Sequence, residues 1–120
     1  MNYEISINDR PFQAIKAGTK KIETRVSTSW DTTPFGEIKP GDTITFTNNV
    51  SGEIMKTEVL RTKNYPDVRT MLETEGTRNT LSSGLDINGA IERYNTVFPE
   101  YKENIIKYGI WAIEIKLVLN

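Results

Sequence analysis

Between Gly18 and Arg25 the chain reads Gly-Thr-Lys-Lys-Ile-Glu-Thr-Arg, which places an ammonium, a carboxylate and a guanidinium within eight residues. A lysine titrates near about 10.4 and becomes a nucleophile or base only when desolvation or cationic neighbours lower that value. Lys21 and Arg25 push Lys20 that way, whereas Glu23 pushes back by favouring the ammonium. As written, the set is better suited to holding an anion or the polar edge of a base than to catalysis. Lys20 and Arg25 would meet a phosphate or carbonyl oxygen, and Glu23 would accept from the exocyclic amine of cytosine or adenine. Glu23 could equally do no more than orient Arg25. The plainest alternative is a solvated ion network on the outside of a strand, which is worth little.

The surrounding elements decide how these groups are presented. Residues 21–26 alternate, so Ile22, Thr24 and Val26 face one way and Lys21, Glu23 and Arg25 the other. Lys20 stands at the mouth of that strand, just past Gly18, which ends a short helix capped by Asp9 with Pro11 in its first turn. Before the helix, Tyr3, Ile5 and Ile7 alternate along a first strand. After the motif comes a Ser/Thr-rich loop, residues 27–36, carrying Trp30 and Phe35. Either both rings cover the end of a barrel, or one offers a flat face on which a base stacks.

Lys39-Pro40-Gly41-Asp42 is a type II turn signal, followed by an alternating strand over 43–47. A hairpin at Asn48, Asn49, Ser51 and Gly52 returns through a long strand over 53–63, whose Lys56, Arg61 and Lys63 could extend a basic surface. Pro66 opens a helix to Glu75, Thr77 to Leu85 reads as a loop, and Asp86 caps a helix whose Ile87, Ala90, Ile91, Tyr94 and Phe98 form a core stripe. A helical turn carries Tyr101 and Ile105. The last strand, 110–119, puts Trp111, Ile113, Ile115, Leu117 and Leu119 on one face and could close a barrel against the first strand. Helices inserted among antiparallel strands put the chain in the α+β class, built on a β-barrel.

Composition narrows the chemistry. The 120 residues contain no Cys and no His, so thiolate nucleophiles, disulfides, His-based triads and Cys/His metal sites are excluded. No nucleotide-binding glycine loop or acidic metal-binding run is present, so no metal and no cofactor is expected. The length suits one domain, residues 1–120. No apolar run is long enough to span a bilayer and no signal-peptide pattern occurs, so a cytoplasmic protein without membrane contact is expected. The formal net charge of −1 gives no overall pull toward nucleic acid. Locally the balance differs, with Lys16, Lys20, Lys21 and Arg25 set against Glu23 alone.

Gly18, Lys20, Glu23 and Arg25 fit GxKxxExR, and in this pattern the chain resembles the ASCH domain family. Pro11, Phe12 and Ile15, the Ile-Lys-Pro-Gly-Asp at 38–42 and the Lys-Tyr-Gly-Ile-Trp-Ala-Ile-Glu-Ile at 107–115 fall in the family's order, so the resemblance runs nearly end to end. It implies a PUA-like β-barrel of about five to six mostly antiparallel strands with about three to four helices packed around it. It also implies a partner: RNA, or a nucleotide or modified nucleoside, bound in a cleft lined by the motif. Lys20, Lys21, Glu23 and Arg25 are the candidate ligand-binding residues, with Trp30 or Tyr108 stacking on the base. One branch of the family removes the acetyl group from N4-acetylcytidine through a motif lysine, a threonine three residues later and a late glutamate. Here Lys20 matches the lysine, Glu23 stands at the threonine position, and the glutamate falls near Ser82 or Ser83. On that reading Lys20 and Glu23 are the candidate catalytic residues.

Overall fold

A computed structural model describes residues 1–119. Strand β1 (Asn2–Ile7) leads into helix α1 (Asp9–Ala17), strand β2 (Ile22–Arg25), a 3-10 turn at Phe35–Glu37, and strands β3 (Thr43–Asn48) and β4 (Ile54–Tyr65). Helices α2 (Val68–Glu75), α3 (Thr77–Thr80), α4 (Ile87–Thr96) and α5 (Tyr101–Tyr108) follow, and β5 (Ile110–Leu117) ends the described fold. The strands form one curled mixed sheet in the order β1-β3-β4-β5-β2. Only the β1–β3 pairing is parallel. Five strands and an α+β class agree with expectation, while the five α-helices exceed it by one, because Thr77–Thr80 is helical rather than looped.

The barrel is not closed where the sequence pattern placed the seam. Strand β5 pairs with β4 and β2, and β1 pairs with β3 alone, so β1 and β2 are the two edges. A parallel β1–β3 pair requires a long crossover between them, and α1, β2 and the 27–42 segment supply it.

Apolar side chains fill both sides of the sheet. Ile5, Phe12, Ile44, Phe46 and Ile113 belong to one buried cluster, and Met71, Leu72, Tyr94, Tyr101 and Ile110 to the other. Strand β5 feeds both: Ile113 and Ile115 enter the first cluster while Ile110 and Ala112 enter the second. Each fully buried residue of this size contributes about 1.5–3 kcal/mol relative to remaining exposed. The entry to β5 depends on Gly109, at φ 77°, where an added Cβ would come within 2.5 Å of the Tyr65 carbonyl oxygen and the Asn64 side chain.

Two helix starts differ from expectation, by one residue at α1 and by two at α2. Asn8 rather than Asp9 occupies the cap position of α1, and Asp9 instead accepts hydrogen bonds from Gln13 and Asn48. Asp67 caps α2 by accepting from the Thr70 amide, so Pro66 lies outside the helix. Asp86 caps α4 as expected, accepting from the Gly89 amide.

Candidate functional site

The motif begins where α1 stops. Gly18 adopts the left-handed conformation, φ 82°, that lets its amide bond back to the helix carbonyls. The chain then turns Lys20 inward, and its side chain is only 5% exposed. The ammonium Nζ donates to the carbonyl oxygens of Ile22 at 2.6 Å and Thr80 at 2.5 Å, and lies 3.5 Å from Glu23 Oε1. An ammonium has three protons and no acceptor site, so these three partners use all of it. Burial pulls Lys20 below the usual lysine value, with the Glu23 carboxylate opposing and Arg25 reinforcing the pull.

Glu23 and Arg25 are not on a solvated face. In β2 they stand opposite Ile113 and Trp111 of β5, on the side of the sheet that carries the first apolar cluster. Glu23 Oε2 accepts from Arg25 Nε at 3.2 Å and Nη2 at 2.9 Å, and Oε1 accepts from the Thr24 amide at 3.2 Å. Together with Lys20 these fill the four lone-pair positions of a carboxylate. All four positions are taken within the protein, and two of the bonds orient Arg25. Burial alone would raise the Glu23 carboxyl, but Arg25 and then Lys20 outweigh it and hold the group below the usual carboxylate range. Burial likewise opposes the Arg25 charge, and Glu23 more than restores it, with smaller help from Tyr101 and Asp31.

Arg25 also spans the unpaired edges. Its Nη2 reaches the Ser6 carbonyl oxygen of β1 at 3.5 Å and its Nη1 reaches Asp31 Oδ2 at 3.4 Å. By count one Nη1 proton of the five remains for a ligand. At this gap lies a cavity of about 340 Å³, bordered by Ser6 of β1 and by Glu23, Thr24 and Arg25 of β2. Helix α4 closes the far side with Ala90, Arg93 and Tyr94, and Trp30, Phe98 and Tyr101 form an aromatic wall. Trp30 lies parallel to Tyr101, with ring centroids 6.1 Å apart and 5° between planes, and Phe98 continues the stack at 4.9 Å from Tyr101. Half of Trp30 stays in solvent at the cavity, whereas Phe35 from the same loop is buried in the first apolar cluster.

Lys20, Glu23, Arg25 and Trp30 are thus brought together. Lys21 and Tyr108 are not: both side chains are exposed and neither borders this cavity. Tyr108 instead offers its carbonyl oxygen to Asn64 at the far end of α5. Of the basic residues anticipated on β4, Arg61 is held by Glu75 and Glu114, Lys63 is exposed over the Tyr65 ring and Lys56 is exposed, and none of the three borders this cavity.

Four contributors escaped the sequence reading. Tyr94 is buried with the apolar stripe, yet its hydroxyl shares a 2.7 Å hydrogen bond with Thr24 Oγ1 at the cavity wall. A tyrosine in a core stripe needs a partner for its hydroxyl, and that was the available signal. Burial pushes the Tyr94 phenol well up, and Tyr101 to about 12, so both remain protonated donors. Thr80, from the unexpected α3, supplies the carbonyl that fixes Lys20. Arg10 and Arg93 stand at the rim, and nothing in their local sequence marks them. Among the described residues no group of His, Cys, Asp and Glu could hold a metal ion, and no helix is long and apolar enough to cross a membrane.

Fold and site together define a small α+β protein with a charged, aromatic-walled cavity where the edges of a curled sheet fail to pair. Residues 5–118 match the family model of the ASCH domain, and the chain belongs to the ASCH domain family, with its PUA-like fold. The crystal structure of hypothetical protein PH0355 is similar at 33% identity and a TM-score of 0.80, covering 98% of this chain and 100% of that one. The solution NMR structure of protein PF0455 from Pyrococcus furiosus is similar at 33% identity and a TM-score of 0.74, over 100% of both chains. The crystal structure of an ASCH domain from Lactobacillus crispatus shares the fold at 15% identity and a TM-score of 0.53, covering 96% of this chain and 79% of that one. No curated protein matches the chain.

Proposed function

We propose that this ASCH domain binds RNA or a nucleotide by taking one base into the cavity between β1 and β2. The observation that carries the reading is the pairing of a parallel aromatic wall, Trp30 on Tyr101, with an inward-facing arginine that keeps a free donor. A base stacked on such a wall is worth about 1–3 kcal/mol whatever its identity. The edge of the base would be met by the Thr24 and Tyr94 hydroxyls, which share one hydrogen bond and so retain one proton between them. The remaining Arg25 proton suits a carbonyl or phosphate oxygen.

A lysine-centred amidohydrolase acting on N4-acylated cytidine is the second reading. It has one point in its favour, the desolvated Lys20 in a ligand-sized cavity. Against it, the three acceptors around Nζ occupy the whole ammonium, Glu23 is saturated, and Ser82 and Ser83 bring no carboxylate to the cavity. Incubation with N4-acetylcytidine should release no cytidine above background. Release abolished by Lys20→Arg would reverse the ranking.

Tryptophan fluorescence tests binding directly. Mononucleotides and short single-stranded RNA should quench the emission saturably, and Trp30→Ala should weaken binding by about 1–3 kcal/mol. Trp111→Ala is the internal control: that ring packs on the first cluster, so its truncation should cost about 3–5 kcal/mol of stability instead. No saturable change with any nucleotide or RNA, or full affinity in Trp30→Ala, would overturn the proposal.

A further inference from the structure

The charges around the cavity do not all have the same freedom. Inside, Lys20 and Arg25 are matched by Glu23 and Asp31, so the buried set is neutral by count. At the rim two further arginines border the same opening, Arg10 from α1 and Arg93 from α4. Both side chains are exposed. Neither takes part in an ion pair among the described residues. Arg10 donates only to the Ser82 hydroxyl, at 3.3 Å. Arg93 is one residue before Tyr94 and three after Ala90, so the α4 face that lines the cavity also carries the cation. The cavity therefore has an interior that is neutral by count and a mouth with two surplus positive charges.

That distribution selects among nucleic-acid ligands. A phosphodiester carries one negative charge, whereas a terminal phosphate monoester carries about −1.5 to −2 at neutral pH. Two guanidinium forks meet such a group in bidentate fashion. Volume points the same way, because about 340 Å³ lies at the low end of small-ligand sites and far below a track for several nucleotides. Resting on the nucleotide reading above, we propose that the ligand is a single nucleotide unit ending in a phosphate monoester. Its base lies against Trp30, and its phosphate sits at the mouth between Arg10 and Arg93. This chemistry is found in a free mononucleotide and at the phosphorylated end of an RNA.

The four ribonucleosides, their 5′- and 3′-monophosphates, and pentaribonucleotides with and without a terminal phosphate are titrated at low salt against the full chain. For at least one base, a monophosphate should bind tenfold or more tighter than its nucleoside. The double variant Arg10→Gln/Arg93→Gln should erase that preference, while Trp30→Ala weakens both ligands and keeps their ratio. A phosphorylated pentanucleotide that binds as tightly as the mononucleotide identifies an RNA end as the source, and one that does not identifies the free nucleotide. Equal binding of nucleoside and monophosphate by the wild-type protein, or a preference that survives in the double variant, overturns the phosphate assignment while leaving base binding intact. Failure of every ligand to bind removes the nucleotide reading itself.

Discussion

Three ammonium protons on Lys20 meet three acceptors, two of them carbonyl oxygens of Ile22 and Thr80 that have few other routes to a donor. Such a lysine ties β2 to the end of α3. Lys20→Met removes the donor, leaves both carbonyls short and strips Glu23 of one of its cations. Breaking a buried pair from one side costs about 3–5 kcal/mol, so urea denaturation should show a loss of this order; an unchanged midpoint would show that the contacts carry no stability. The same variant has an acid signature. The Glu23 carboxyl is held below its unfolded value of about 4.3 by Arg25 and Lys20. Its stabilisation is therefore complete above that value and is lost as pH falls through the depressed folded value. Without Lys20 the folded value rises, and the acid-unfolding midpoint should move to higher pH than in the wild type. Spacing alone made Lys20, Glu23 and Arg25 legible as a group. It could not show them buried, because alternation over 21–26 assigns the charged side to solvent unless another element covers it. The covering groups lie far away in sequence: Thr80 for Lys20, and Ser6 for Arg25. Lys21 and Tyr108 failed for the same reason in reverse, since neither the run of charges nor the aromatic ring says which way a side chain turns.

Elements that rest on their own periodicity were readable, and those stabilised by distant partners were not. Strand β1 buries Tyr3, Ile5 and Ile7 as its alternation required, and α4 starts at its Asp86 cap. Helix α3 was missed because four polar residues, Thr77–Thr80, have no apolar stripe. Its last carbonyls are instead occupied by the Lys21 amide, bonded to Asn79 at 2.8 Å, and by the Lys20 ammonium on Thr80. The seam was misplaced because β5 is apolar on both faces over its first half, so its pattern cannot say which strand lies beside it. What fixes β5 in place is the turn before it. Gly109 combines a positive φ with backbone packed against Asn64 and Tyr65 of β4, and an alanine there would have to displace the Tyr65 carbonyl from 2.5 Å. Backbone strain of this kind costs about 1–3 kcal/mol before the clash is added. Gly109→Ala should therefore lower stability by about 3 kcal/mol or more, with the β4–β5 amides losing protection first in hydrogen exchange. Gly18→Ala, with nothing within 4 Å of the added carbon, should cost only the smaller conformational penalty.

Across the whole molecule, basic and acidic charge nearly balance. Fifteen basic residues face sixteen acidic ones, for a formal net charge of −1. Outside the cavity, Lys16 is paired with Glu53, Arg61 with Glu75 and Glu114, and Lys116 with Glu58, whereas Lys39, Lys56, Lys102 and Lys107, among others, take part in no ion pair among the described residues. At the cavity mouth Arg10 and Arg93 likewise have no acidic partner among the described residues. With a net charge of −1 the molecule as a whole exerts no pull on a polyanion, and on the single-nucleotide reading its electrostatic contact with a polymer should stay local. Each phosphate neutralised on a single strand contributes a slope of about −0.7 to the dependence of log K on log salt. Contact through Arg10, Arg93 and the spare Arg25 proton involves one or two phosphates, so the slope for a single-stranded RNA should lie between about −0.7 and −1.4. It should not steepen as the strand lengthens from five nucleotides to fifteen. Fluorescence titrations at several salt concentrations with both lengths measure this directly. A slope that grows with length would place further phosphates on surfaces outside the cavity and make the protein a track for RNA rather than a receptor for one nucleotide.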